Sequence, residues 1–212
     1  MTTTTHTPHE SAVMGLIRQL ANNDEAKVQQ LLAWMAAPLQ KPGHKLQQGL
    51  LLAERQLGGN WLLAAILSEI YSDSGLWMYA ENMSAKFTFL RPETRLLCVN
   101  HSGFDLFRGS RSNPPTAEKL KTLITSQSIQ LNPRHQEPQT IPNHLNVVFL
   151  TGAANPFNES DRRWLVIEPK HDLQLSQQDD YLLSYSQRLE RSLALKSLLM
   201  RHSISSTALE AV

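Results

Sequence analysis

The sequence predicts an α/β layer fold with a largely parallel sheet, and three observations carry that expectation. Four short apolar runs occur at residues 50–53, 95–99 ("RLLCV"), 145–151 ("LNVVFLT") and 163–168 ("RWLVIE"). They are nearly continuous rather than alternating, as strands covered on both faces are. Stretches with apolar residues at three- and four-residue spacing are interleaved with them, the pattern of helices layered on a sheet. At 212 residues the chain is long enough for one core, since a chain of this size buries about 70% of its unfolded surface.

In chain order, residues 1–10, "MTTTTHTPHE", read as a disordered tail with little to bury. A helical segment over 11–45 holds "SAVMGLIRQLA" (11–21) and "DEAKVQQLLAWMAA" (24–37), with Ser11 and Asp24 as N-caps. "PLQKPGHK" then breaks the pattern through Pro38, Pro42 and Gly43. The core is expected over 46–175. It opens with the run at 50–53, a glycine-bearing loop at 57–59 and a helix over about 60–71 whose apolar face includes Leu62, Ile66 and Ile70. After "RLLCV" and the loop "NHSGFDLFRGSRSNPPT" comes a helix carrying Leu120 and Leu123, then "SIQL" and "NPRHQEPQ". A C-terminal helical segment, 176–212, contains a long amphipathic helix beginning near Asp179 or Asp180. All of this is read as one compact domain.

Composition excludes several functions. Lys plus Arg is 20 and Asp plus Glu is 19, so a nucleic-acid surface has to be a local patch rather than a property of the whole chain. The single cysteine, Cys98, lies in an apolar run and reads as a small core residue. The eight histidines show no H-x-x-x-H or Cys–His spacing, so no metal site is expected. "NHSGF" lacks the glycines that flank a hydrolase nucleophile at Ser102. The N-terminus has no signal-peptide pattern, and the run "WLLAAIL" falls far short of the ~20 residues of a membrane span. A cytoplasmic protein without membrane contact is expected.

The stretch "LLLAERQLGGNWLLAAIL" (50–67) has the outline of a strand, phosphate-binding loop and helix. A working loop of this kind needs G-x-x-x-x-G-K-[ST]: glycine amides wrap the phosphates, lysine supplies charge and the hydroxyl holds magnesium. Laid on that pattern the chain reads Glu54, Arg55, Gln56, Leu57, Gly58, Gly59, Asn60, Trp61. Only Gly59 meets the pattern, and on these residues alone a plain Gly-Gly turn before a helix stands beside the phosphate-loop reading.

The rest of the chain adds a resemblance. "LLAWMAAPLQKPGHKLQQGLLL" is similar to a helix, a Q-x-P-G-x-K turn and a first core strand. "EKLKTLITSQSIQLNPRHQEPQTIPNHLNVVFLTGAANPFNESDRRWLVIEP" is similar to a K-x-[IL]-[IL]-T helix, a hairpin with a basic tip, I-P-N, a sensor strand and a closing D-R-R-[FW]. In that order they resemble the superfamily 3-type helicase domain of phage and mobile-element primase-helicases, within the AAA+ P-loop class. The resemblance covers roughly residues 30–170, and the stretch before it is expected to be too short for that family's primase domain.

The resemblance implies an AAA+-like core with degenerate site motifs. Asn60 stands where lysine belongs and Trp61 where the hydroxyl belongs, and an indole there would fill phosphate space. The acidic pair that holds magnesium and polarises water falls on His101 and Ser102, with Asp105 nearby. The Ser-Asn sensor falls on Thr151 and Gly152, with Asn155 as a shifted substitute. The nucleotide site is thus expected at Gly58, Gly59, Asn60, Trp61, His101, Ser102 and Gly152, without ATP, magnesium or another cofactor. Arg162 and Arg163 match an arginine-finger position. Arg134 and His135 match the DNA-contacting hairpin tip, with Lys119 and Lys121 as further phosphate contacts; each also reads as a solvated surface group.

The implied function is a pseudo-ATPase acting as a nucleic-acid-binding or assembly module in phage or mobile-element DNA replication. Its partners would be single-stranded or duplex DNA, a second copy of itself, or an intact helicase or primase. Two alternatives stay open: an inhibitor or adaptor that binds a host or phage protein without nucleic acid, and a divergent active ATPase that uses Arg55 for the phosphates and Asp105 for the metal.

Overall fold

A computed structural model describes residues 7–53, 59–83, 87–103, 105–110, 114–132, 137–158, 160–170 and 185–204. Helix α1 (Pro8–Leu20) begins inside the stretch expected to be a tail. Its N-cap is Thr7, not Ser11: Glu10 N–H donates to Thr7 Oγ1 and Thr7 N–H donates to Glu10 Oε2, a reciprocal box with Pro8 at the first helical position. Glu10 is buried and bonded to Arg201. This holds residues 7–10 in the fold, because a buried carboxylate needs such partners.

Asp24 caps α2 (Glu25–Gln40) as its sequence position predicts, accepting from Ala26 and Lys27 N–H. Asn22 and Asn23 make the turn between the helices with φ of 57° and 56°, a conformation that asparagine tolerates well. Pro38 does not end α2; the helix runs on to Gln40.

The core contains β1 (Gly49–Ala53), α3 (Gly59–Tyr71), β2 (Gly75–Tyr79), β3 (Leu96–His101), α4 (Thr116–Thr125), β4 (Ser128–Leu131), β5 (Gln139–Pro142), β6 (Asn146–Thr151) and β7 (Trp164–Ile167). Helix α5 (Tyr185–Arg201) follows; its expected start at Asp179 or Asp180 lies outside the described residues. Five strands form one parallel sheet in the order β2-β3-β6-β1-β7, and β4 and β5 pair antiparallel as a separate hairpin. Strand β2, "GLWMY", was not expected from the sequence. It is an edge strand whose residues are only partly buried, and the single turn Ser72–Ser74 separates it from α3, so its short apolar run reads as a continuation of that helix.

Alternation along β1 sends Leu50 and Leu52 to one face and Leu51 to the other. The first face is covered by α1, α2, α3 and α5, with Trp34, Leu63, Leu67 and Leu195 in its core. The second is covered by α4, the hairpin and the segment from Ala80 to Leu106, with Phe149 and Trp164 at its centre. Gly49 is a steric requirement of that packing: a Cβ there would lie 2.6 Å from the Trp164 ring and 2.9 Å from Ile124. Gly49→Ala is therefore expected to lower stability by about 1–3 kcal/mol, the usual cost of overpacking. An unchanged urea unfolding midpoint would show that the indole yields without cost.

Candidate functional site

The carboxyl ends of β1, β3 and β6 meet on one edge of the sheet. Register places Ala53 beside Thr151 and Thr151 beside His101, so the three strand ends share one rung. Helix α3 opens at this edge with Gly59 and Asn60, both buried. Open α/β sheets take ligands in such a crevice beyond the carboxyl ends of the strands.

The described residues here are Gly59, Asn60 and Trp61 at the start of α3, His101 and Ser102 after β3, and Thr151 and Gly152 after β6; none is a lysine or a carboxylate. His101 Nδ1 and Thr151 Oγ1 lie 3.2 Å apart, and the threonine oxygen also accepts Ala153 N–H at 3.3 Å. A threonine hydroxyl that donates to Nδ1 while accepting from the backbone satisfies both contacts. The imidazole also stacks on Phe149 at 5.7 Å and 26°. Ser102 and Gly152 are exposed, and a Cβ added at Gly152 would meet nothing within 4 Å. Asp105 and Asn155 are each committed to their own loops, accepting Phe107 N–H at 3.0 Å and Phe157 N–H at 2.8 Å.

The Trp61 indole packs on Trp77 of β2, ring centroids 6.1 Å apart. Gly58, Arg134 and His135 lie outside the described residues, as does Arg55. The hairpin that carries Arg134 and His135 is formed, with Leu131 opposite Gln139 at the end nearest its tip.

The two lysines of α4 part company. Lys119 is buried and donates from Nζ to the Met83 carbonyl at 2.7 Å, and burial pushes its pKa below the ordinary lysine value. It cannot serve as a surface phosphate contact, which overturns that expectation. The buried face of α4 runs through Thr116, Lys119, Leu120, Leu123 and Ile124, so helical spacing alone carried the signal. Lys121 is half exposed and lies 3.8 Å from Glu118.

Arg162 and Arg163 sit at the start of β7, on the sheet edge opposite the α3 turn. One chain therefore does not bring them to its own crevice. Arg162 is exposed, and its carbonyl accepts from Gln48 Nε2. Arg163 forks onto Asp161, Nε to Oδ1 at 2.7 Å and Nη2 to Oδ2 at 2.6 Å, and this pair holds the Asp161 carboxyl below its ordinary value. Beside them, Phe107, Phe157, Lys121 and Trp164 line a cleft of about 170 Å³.

Sequence reasoning missed two anchors. Asn143 is buried and donates to the Leu123 and Ser126 carbonyls while accepting Leu145 N–H, so it ties the end of α4 to the entry of β6. Lys45 donates to the Leu145 carbonyl at 2.6 Å, and burial lowers its pKa to about 8. The local signals were "I-P-N" and the "P-G-x-K" turn, whose long-range partners only the fold supplies.

A five-stranded parallel sheet whose inner strand β1 leads into α3, with helices on both faces, defines an α/β core. The chain belongs to the family of unknown function DUF5906, which it matches over residues 54–163. No curated protein matches it. Two apo structures of the NrS-1 C-terminal region superpose with TM-scores of 0.73 and 0.75 at 17% identity, covering 97% of this chain. The chain spans about half, 51%, of the NrS-1 region. A JCV helicase structure aligns at 15% identity over 97% of this chain and 66% of its own, with a TM-score of 0.46.

The Asp161–Arg163 fork yields a pH prediction. The folded carboxyl titrates below its unfolded value of 3.8, so the stability it contributes is complete above that value and is lost as pH falls through the folded pKa. Asp161→Ala should cost about 1 kcal/mol at neutral pH. That gap should shrink in acid unfolding series below about pH 4; a gap independent of pH would assign the loss to the turn rather than to the ion pair.

Proposed function

We propose that this chain is a helicase-like core that does not hydrolyse ATP and acts through its surfaces, as a nucleic-acid-binding and assembly module in DNA replication. The observation that carries the reading is the His101–Thr151 contact on the Ala53 rung. The two strand ends that would supply a metal-holding carboxylate and a polar sensor bond to each other instead. Phosphoryl transfer depends on charge placed around the transferring group, and the described residues at this edge do not fit a magnesium nucleotide. The hairpin β4–β5 would meet nucleic acid through Arg134, and the exposed Arg162 would face another subunit or an intact helicase.

Titration calorimetry with ATP, with and without magnesium, is expected to give no micromolar magnesium-dependent affinity. A magnesium-dependent ATPase rate abolished by changing Arg162 and Arg163 would overturn the reading in favour of an active enzyme.

Binding of single-stranded DNA through the hairpin should weaken steeply with salt, and Arg134→Ala should reduce the salt slope by about 1. Phe107, 58% exposed beside the Arg163 cleft, favours a second reading, a protein-binding adaptor. A stable protein complex without any salt-dependent DNA binding would select it.

A further inference from the structure

Between α3, the edge strand β2 and α5 runs an open groove of about 520 Å³, outside the positions that the helicase resemblance assigns to the hairpin and the arginines. Its volume lies in the range of small-ligand sites. Trp61 and Trp77 meet at 57° and form two walls of an angle, and Tyr79 stands 49% exposed at its mouth. Asn100 and Glu69 supply polar groups, and Arg188 closes the α5 side. The Trp61 and Trp77 indole N–H groups, the Asn100 carboxamide and the Glu69 carboxylate make no hydrogen bond to another described residue.

We propose that this groove binds an unpaired nucleobase. A flat ring can lie on one indole with its edge toward the other, a stacking contact open to every base. Two N–H donors, a carboxamide that both donates and accepts, and an accepting carboxylate suit the mixed donor and acceptor edge of a base. The lining carries one acidic and one basic side chain, Glu69 and Arg188, beside three aromatic rings, so recognition rests on the ring rather than on phosphate. That separates this site from the hairpin: binding here should depend only weakly on salt, whereas phosphate contacts are strongly salt-dependent. The base can belong to a single strand or to a free nucleotide. The inference stands on the groove residues and does not require the hairpin reading.

The test is fluorescence anisotropy of labelled 12-nucleotide single strands of DNA and RNA, with a matched duplex and unlabelled AMP as competitors, on the full chain. Single strands should bind and the duplex should not, with Trp61→Ala weakening binding about 5- to 100-fold. Trp61→Phe should retain most of it, and Asn100→Ala should alter base preference. Competition by AMP at the strand's own affinity would assign a free nucleotide as the source, and weaker competition a strand. Because Asn100→Ala and Trp61→Phe leave most of the packing in place, they decide the matter if Trp61→Ala fails to fold. Equal binding of duplex and single strand, binding indifferent to Trp61 and Asn100, or no binding of any of these probes would overturn the proposal. Loss of DNA binding in Arg134→Ala while the Trp61 and Asn100 variants bind as the parent chain does would assign the binding to the hairpin and overturn this site, whereas the Trp61 effects persisting beside an unaffected Arg134→Ala would uphold this site and count against the hairpin.

Discussion

The molecule is organised by the need to cover both faces of β1. Its five residues, "GLLLA", are all buried, and Leu50, Leu51 and Leu52 are paired on both sides, with β6 and with β7. Each buried leucine stabilises the fold by roughly 1.5–3 kcal/mol, but only where a layer stands over it. Four helices supply one layer; α4 and the hairpin supply the other. The same constraint fixes Gly49, where the second layer reaches the backbone itself through Trp164 and Ile124. It also fixes where chemistry can sit, because residues inside the layers are spent on packing and only the two sheet edges remain. One edge carries the α3 turn, the other the arginines of "DRRW".

Long-range polar contacts close this arrangement at its corners. Gln40 on α2 donates to the Leu199 and His202 carbonyls at the end of α5, and Glu10 on α1 bonds Arg201. Asn22 donates to the Glu168 carbonyl and accepts Lys170 N–H, which fastens the α1–α2 turn to the chain leaving β7. Carbonyls at a helix end need partners that the helix cannot provide, and here side chains distant in sequence provide them. The N-terminal helices are thereby structural parts of the sheet's cover.

Whether a residue was legible in the sequence follows from how local its cause is. Inner strands β1, β3 and β6, and the well-covered edge strand β7, announce themselves as apolar runs because both faces are buried. The start of α1 was equally local, in Thr7, Pro8 and Glu10, but the threonine repeat before it masked the capping box. Strand β2 was hidden by its edge position and by the single turn, Ser72–Ser74, that separates it from α3. At the candidate site, the residue types Asn60, Trp61, His101 and Ser102 are visible letter by letter. The side chains' destinations are not: Trp61 turning to Trp77, Lys119 turning inward to Met83 and His101 reaching Thr151 are set by neighbours 16, 36 and 50 residues away.

Those destinations bear on how such a fold is used. At the crevice beyond the strand ends His101 and Thr151 are engaged with each other, whereas Trp61, Glu69 and Trp77, whose polar groups make no hydrogen bond to another described residue, lie to its side along α3 and β2. Burial of a polar group costs free energy unless it is bonded, so the buried Thr151 hydroxyl at the crevice gains by pairing with His101 and the Ala153 N–H. Groove residues at a half-exposed edge meet no such demand, since water serves them. The interior is therefore settled by pairing among its own groups, and the surfaces that keep polar and aromatic groups available to solvent lie at β2 and α3 on one side and around Phe107 and Arg162 on the other.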